Sequence, residues 1–244
     1  MELSIVELIA GTETPVGTGV TGAQRGLVRF PDGTVKAAIV KRMETRAIAA
    51  ECFCSMLLRR WGLNVPEPAI VGSPPIAFAC IDISYPNLLQ RVGWSSGLPP
   101  QVRAVLEQAA ARLVASFNQT PLALAADEAI KNLDRNLGNI LWNGSEVAWI
   151  DHERALGVSP QPMADMNKLA GLAMMSGEHD RIAAAALTAS FTLSASAVDE
   201  AERICSAHAD TTGFSEVVSQ RLQHLGNAVL ARFPRPSDLL EGIQ

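Results

Sequence analysis

Aromatic residues are scarce in this chain: one tyrosine, four tryptophans and seven phenylalanines among 244 residues, 5% in all. Alanine is abundant in the second half instead. That composition implies helices packed closely on small side chains. A dominant positive charge is also missing. Twenty Lys and Arg stand against twenty-five Asp and Glu, for a net charge of −5. No basic run is visible, which removes the electrostatic footprint of a nucleic-acid binder. No apolar run approaches the roughly 18 residues that a membrane-crossing helix needs. The N-terminus shows no basic segment followed by an apolar block, so no signal peptide is expected. The four cysteines, Cys52, Cys54, Cys80 and Cys205, make no CxxC pair. Buried, reduced thiols in a cytoplasmic protein are the expectation, with no disulfide framework. His152, His179, His208 and His224 are spread singly, which leaves no zinc ligand set.

What is present suits a compact globule. Apolar residues make up 48% of the chain and mean hydropathy is +0.16. The length allows one large domain or two small lobes, with a sizeable core.

The most informative stretch runs from Ile130 to Glu153. Its first part is dense in carboxylate and carboxamide groups: Asn132, Asp134, Asn136, Asn139. Two short apolar runs follow, 140–142 and 147–150, separated by Asn143-Gly144-Ser145. This reads as loop, strand, tight turn, strand. Asp151 is released where the second strand ends. The hairpin brings Asp151 back beside Asp134 and Asn139, so two carboxylates and a carboxamide converge. Such hard oxygen donors suit Mg²⁺, which takes one or two carboxylates plus substrate phosphates. An Asp, an Asn a few residues on, and a later strand-end Asp match the order of groups used in phosphoryl transfer. Asp134 takes the place beside the attacking hydroxyl; Asn139 and Asp151 take the metal positions. Asn, Asp and Gly are also ordinary loop residues. The combination is more specific than any single pair.

Upstream, residues 3–9 read as a strand. Gly17, Gly19 and Gly22 then form a G-x-G-x-x-G. A strand follows Gly22 where a dinucleotide site needs a helix. The two further strands, 26–30 and 35–41, are joined by an Asp-Gly turn at Asp32-Gly33. This makes the glycine segment either a nucleotide-covering loop or a plain surface loop. Lys41 ends the second strand, where it could reach nucleotide phosphates; Lys36 and Arg42 are competing cations. Residues 45–61 carry helical periodicity in Ile48, Cys52, Met56 and Leu57. Glu51 lies among small residues of that helix. It either pairs with Lys41 or is solvated, the commoner fate of a glutamate. Two strands follow, 69–71 and 76–83, with a linker at 80–88 whose backbone would suit an adenine edge.

From Gln101 onward the pattern is helical. Helices are expected over 102–117, with Val105, Leu106, Ala109, Leu113 and Phe117 on the apolar stripe, and over 121–130. Further helices are expected over 163–175, 180–192, 197–207 and 215–233. Met163, Met166, Met174 and Met175 read as core filling. His152 reads as a packing or hydrogen-bonding histidine beside the acid.

These residues resemble the HipA-like kinases, a bacterial branch of the protein-kinase-like superfamily. The resemblance rests on Ile39-Val40-Lys41, on Ala50-Glu51 leading to Gly62 through Pro68, on Asn132-x-Asp134-Arg135-x-x-Gly138-Asn139 and on Trp149-Ile150-Asp151-His152. Type II phosphatidylinositol 4-kinases share a similar Asp-Arg and Ile-Asp pattern. The resemblance implies an α+β, bilobal protein-kinase-like fold with a β-rich N-lobe over 1–84 and a helical C-lobe over 85–244. It implies ATP and Mg²⁺ as cofactors. Lys41 would bind ATP phosphates and Glu51 would orient it. Asp134 would be the catalytic base, and Asn139 and Asp151 would hold Mg²⁺. The acceptor would be a hydroxyl group, first of all a protein Ser or Thr. A lipid or small-molecule kinase and a nucleotide-binding pseudokinase are the alternatives. Position 136 is Asn where these kinases often carry His.

Overall fold

Strand alternation builds the first half of the molecule. In a computed structural model describing residues 2–16, 22–158 and 165–234, the strands are β1 (Ser4–Leu8), β2 (Thr14–Pro15), β3 (Gln24–Arg29), β4 (Val35–Lys41), β5 (Pro68–Val71) and β6 (Ala77–Ile81). Their order is β1-β5-β6-β4-β3-β2, and β1 also pairs with β3, so the sheet closes on itself. All pairings are antiparallel except β1 with β5. A barrel this small has room only for small and branched side chains inside. Its interior holds Val6, Val28, Ala38, Val40, Ala69, Val71, Ala77 and Ala79, with Phe30 at one end. The period of two then decides the opposite face. With Ala38 and Val40 turned inward, Ile39 and Lys41 face out of the barrel.

That outer face is covered by α1 (Thr45–Arg60), buried without a break from Ile48 to Leu58. A helix buried all round lies between two layers. Here they are β5 and β6 on one side and α7 (Ala195–Cys205) on the other. Phe53, Met56 and Leu57 join one core with Ile70 and Phe78 of the barrel and with Leu124, Ile130, Trp149 and Phe214 of the second half.

The second half comprises α2 (Leu88–Arg91), α3 (Pro100–Ser116), α4 (Thr120–Ala129), the hairpin β7 (Ile140–Trp142) and β8 (Val147–Trp149), α5 (Lys168–Ser176), α6 (His179–Ser190), α7, α8 (Phe214–Leu222) and α9 (Leu225–Leu230). Asn87 bridges to Leu141, which seats the chain leaving the barrel on the hairpin. Alanine does the work expected of it. Helix α4 buries Ala123, Ala125, Ala126 and Ala129 and packs on α6 and α9.

Four expectations need correction. On α3 the buried face is Ala110, Ala111, Val114 and Ala115, while Ala109 is exposed and Val105 is 65% exposed. Helix α3 packs on α5, and Leu113 and Phe117 of the expected stripe lie half-buried against the core. Helix α5 starts at Lys168, capped by Asn167, not within the run from 163. Met166, Met174 and Met175 are exposed, so these three do not fill the core; Met163 lies outside the described residues. The helix expected over 215–233 is two helices, broken at Gln223 and His224. Among the described residues, no single helix is long and apolar enough to cross a membrane.

Candidate active site

Lys41 is the centre of the site. Its outward position on β4 points Nζ at α1, where Glu51 Oε1 accepts at 2.8 Å. Asp151 Oδ1, from the other half of the molecule, accepts at 2.5 Å, and Glu153 Oε2 at 3.4 Å. Burial alone would lower the lysine pKa, but Glu51, Asp151 and Glu153 outweigh it and raise the pKa, so the ammonium stays charged. Burial would raise the Glu51 pKa, yet the Lys41 charge and the contacts of His152 hold it well below the usual carboxylate range. Glu51 Oε2 accepts from the His152 backbone N–H at 2.9 Å, with His152 Nδ1 at 3.3 Å. One glutamate thereby joins strand β4, helix α1 and the segment after β8.

Asp151 has φ +71°, a left-handed conformation that Asp tolerates better than most residues. It follows the end of β8, whose Trp149 is fully buried and whose register with Ile140 is fixed by the hairpin. His152 is buried, and burial lowers its pKa. It is a packing histidine beside the acid, as read from the sequence. Glu153 escaped the sequence reading. Burial raises its carboxyl pKa, opposed by Lys41 and reinforced by Asp151 and Glu51. Nothing in the sequence distinguishes it from a solvated Glu.

The loop carrying Asp134 is held from below. Arg135 Nε and Nη2 donate to Asp127 Oδ2 and Oδ1 at 3.0 and 2.8 Å, and its Nη1 donates to the Ile150 carbonyl. Asn132 Nδ2 also donates to Asp127, at 3.0 Å. Asn139 Nδ2 donates to the Asp134 carbonyl at 3.0 Å, and the Asn139 carbonyl accepts from Ile150 N–H at 3.2 Å. That leaves the Asn139 amide oxygen as the atom able to meet a cation, next to the residue preceding Asp151. Gly138 is required here: a Cβ would stand 2.9 Å from Asn136 Oδ1, the atom that accepts from Gly138 N–H. Asp134 is covered by two cations, Lys168 Nζ at Oδ1 and Arg154 Nη1 at Oδ2, the latter at 3.4 Å.

Three carboxylates around one ammonium leave an excess of negative charge. One oxygen from each of Glu51, Asp151 and Glu153 lies within 4.8 Å of the others. That donor set fits a hard divalent cation. Beside Lys41 opens a cleft of about 490 Å³ including its mouth. Ile39, Phe78 and Val65 wall it on the barrel side, Leu141 and Ile150 on the helical side, and Asp82 and Ile83 form its rim.

Lys41, Glu51 and Asp151 are thus brought into direct contact, and Asn139 and Asp134 into contact with each other. Gly17 and Gly19 lie outside the described residues. Gly22 is described, with φ +60°. Thr14 and Pro15 pair antiparallel with Arg25 and Gln24, so the glycine segment joins two adjacent strands. Lys36 pairs with Glu67 at 2.9 Å and Arg42 with Glu13 at 2.5 Å, which removes both competing cations from the cleft. Besides Glu153, sequence reasoning missed Asp127 and Lys168, neither of which carries a motif.

No protein-family model and no curated protein matches the sequence. Among solved structures, the chain is similar to the crystal structure of a Helicobacter pylori proinflammatory kinase, CtkA. The TM-score is 0.56 at 12% identity, over 95% of this chain and 97% of that one. It is also similar to Shewanella oneidensis HipA, solved as a toxin–antitoxin complex with HipB and operator DNA. There the TM-score is 0.51 at 14% identity, over 95% of this chain and 64% of that one. At these identities the likeness is one of fold: the bilobal, α+β fold of HipA-like kinases.

Proposed function

We propose that this chain, folded as the HipA-like kinases are, is an ATP- and Mg²⁺-dependent kinase. Its β-rich lobe would span 1–84 and its helical lobe 85–244. One observation carries the reading. The buried Lys41 of the barrel meets Glu51 of α1 and Asp151 of the helical half at once, beside an apolar cleft. A structural ion pair needs one carboxylate; this lysine has three, in a site open to ligand.

In this reading the cleft takes the adenine against Ile39, Phe78 and Leu141. Lys41, oriented by Glu51, lies toward the nucleotide phosphates. Asp151, Asn139 and Glu153 are the residues that would hold Mg²⁺, which when bound neutralises charge developing on the phosphoryl oxygens. Asp134 orients the acceptor hydroxyl and takes its proton. Most of the rate enhancement comes from positioning and fixed charge. The resemblance favours Ser or Thr of a protein as the acceptor; a lipid or small hydroxyl compound is the alternative.

The test is transfer of labelled γ-phosphoryl from ATP, with and without a cell extract as acceptor source. Asp134→Asn and Asp151→Asn should each lower turnover by about 10²-fold or more. Undiminished turnover in either variant overturns the assignment. Mg-ATP binding without any phosphoryl loss would instead make the chain a nucleotide-binding regulator.

A further inference from the structure

Lys168 belongs to no motif, yet its Nζ donates to Asp134 Oδ1 from 34 residues away. Exposed lysine–carboxylate pairs contribute little, because ordering a flexible stem offsets the attraction. This lysine differs in how its root is held. It is the first residue of α5, and the preceding Asn167 is 6% exposed. Asn167 Oδ1 accepts from Leu169 N–H and Ala170 N–H at 2.9 and 3.2 Å. Its Nδ2 donates to Glu128 Oε1 at 3.0 Å. Glu128 is buried in α4 and is bound in turn by Arg221 and Arg232. The neighbouring Asp127 holds Arg135, the residue after Asp134. Two adjacent carboxylates of one helix therefore anchor both sides of the Lys168–Asp134 pair.

The pair also poses a chemical problem. Asp134 faces Lys168 at one oxygen and Arg154 at the other. Each cation takes one of the roughly four acceptor sites of the carboxylate, so an incoming hydroxyl must share the group with both. Lys168 is 37% exposed, so its head can swing on a fixed root. Arg154 stands farther off, at 3.4 Å.

Resting on the kinase reading, we infer that Lys168 is a catalytic cation that leaves Asp134 Oδ1 for the oxygens of the transferring phosphoryl group. In the step, the acceptor oxygen bonds to the γ-phosphorus as the bond from that phosphorus to the β,γ-bridging oxygen breaks. The electron pair departs on ADP, and the acceptor proton passes to Asp134. Lys168 transfers no proton; it balances charge on the moving group and uncovers the base as it does so.

The experiment compares the full chain with Lys168→Met and Lys168→Arg. Binding of Mg-ATP and Mg-ADP is measured by calorimetry without acceptor, and transfer is followed with labelled ATP. A contact made only to the γ-phosphoryl predicts that Lys168→Met weakens ATP relative to ADP by about tenfold, with ADP affinity unchanged. The kcat should fall by about 10²-fold with a smaller change in KM, and Lys168→Arg should restore part of both. An unchanged ATP-to-ADP ratio, or faster turnover in Lys168→Met, overturns the inference; the latter would make Lys168 a clamp on the base. If the intact chain transfers no phosphoryl, the kinase reading fails by itself, and the ATP-to-ADP ratio still decides the role of Lys168. Should Lys168→Met melt below the assay temperature, Lys168→Gln supplies the same comparison.

Discussion

Asp127 and Arg135 form a two-bond ion pair shut off from water, at 3.0 and 2.8 Å, with each side chain 1% exposed. The pair joins α4 to the loop bearing Asp134, and through the Ile150 carbonyl to the segment bearing Asp151. Removing one partner leaves a buried, uncompensated charge, which costs about 3–5 kcal/mol. Asp127→Ala should therefore lower stability by that amount in urea titrations. Phosphoryl transfer should fall with it, even at temperatures where the variant remains folded. Stability within about 1 kcal/mol of the parent chain would show that the pair is not anchoring the loop.

Glu51→Gln tests the lysine cluster. The Glu51 carboxyl is held below its ordinary value of 4.5. Its contribution is thus fully present above pH 4.5 and is lost as pH falls through the lower folded-state value. The stability gap between the parent chain and Glu51→Gln should be largest near neutrality and close in acid. A gap independent of pH would mean that the amide replaces the carboxylate without electrostatic loss.

His152 gives the opposite end of the same linkage a separate probe. Burial holds its pKa below the ordinary 6.5. The unfolded chain then binds a proton that the folded chain refuses. Stability should decline as pH drops from about 6.5 toward the folded-state value, and should be level above it. His152→Gln should flatten the part of the profile below about pH 6.5, read as melting temperature against pH.

Asp151→Asn keeps a residue type that tolerates φ +71°, so the backbone should persist. Mg-ADP at about 100 times its dissociation constant should stabilise the parent chain by about 2.7 kcal/mol, a rise visible in a thermal shift. The Asn variant should lose most of that rise when Mg²⁺ is present and little when ADP is added with EDTA. Equal shifts with and without Mg²⁺ in the parent chain would remove the cation from the site.

Thiol reactivity offers a check on burial. Burial pushes Cys80 and Cys205 up to about 12, and Cys52 and Cys54 well above the ordinary thiol value. Thiolate is the reactive form. None of the four should react quickly with Ellman's reagent at pH 8 in the folded chain, and all four should react in denaturant.

Local chemistry made much of this site readable. Lys41 faces the cleft because Ala38 and Val40 must fill a narrow barrel, and alternation then assigns the other face. Asp151 returns beside the loop because Asn143 and Gly144 turn the chain between two short apolar strands. Glu51 was ambiguous, since its small neighbours allowed a close approach without requiring one; the approach exists because α1 is buried along nearly its whole length. The apolar stripe on α3 was right in part. Leu113 and Phe117 pack half-buried on the core, while full burial falls to Ala110, Ala111, Val114 and Ala115.

By itself, the sequence determined a strand-rich first part followed by a helical second part, the hairpin that returns Asp151, and the run of polar groups from Asn132 to Asn139. Those are properties of neighbours in the chain, set by alternation, turn residues and helical repeat. The tertiary structure alone decided that Lys41 meets three carboxylates, that Asp127 anchors Arg135, and that α5 sets Lys168 on Asp134. Each of those meetings joins residues with no shared period: β4 and α1 bring Lys41 to Glu51, the segment after β8 adds Asp151 and Glu153, and α4 holds Arg135 and, through Glu128, the root of Lys168.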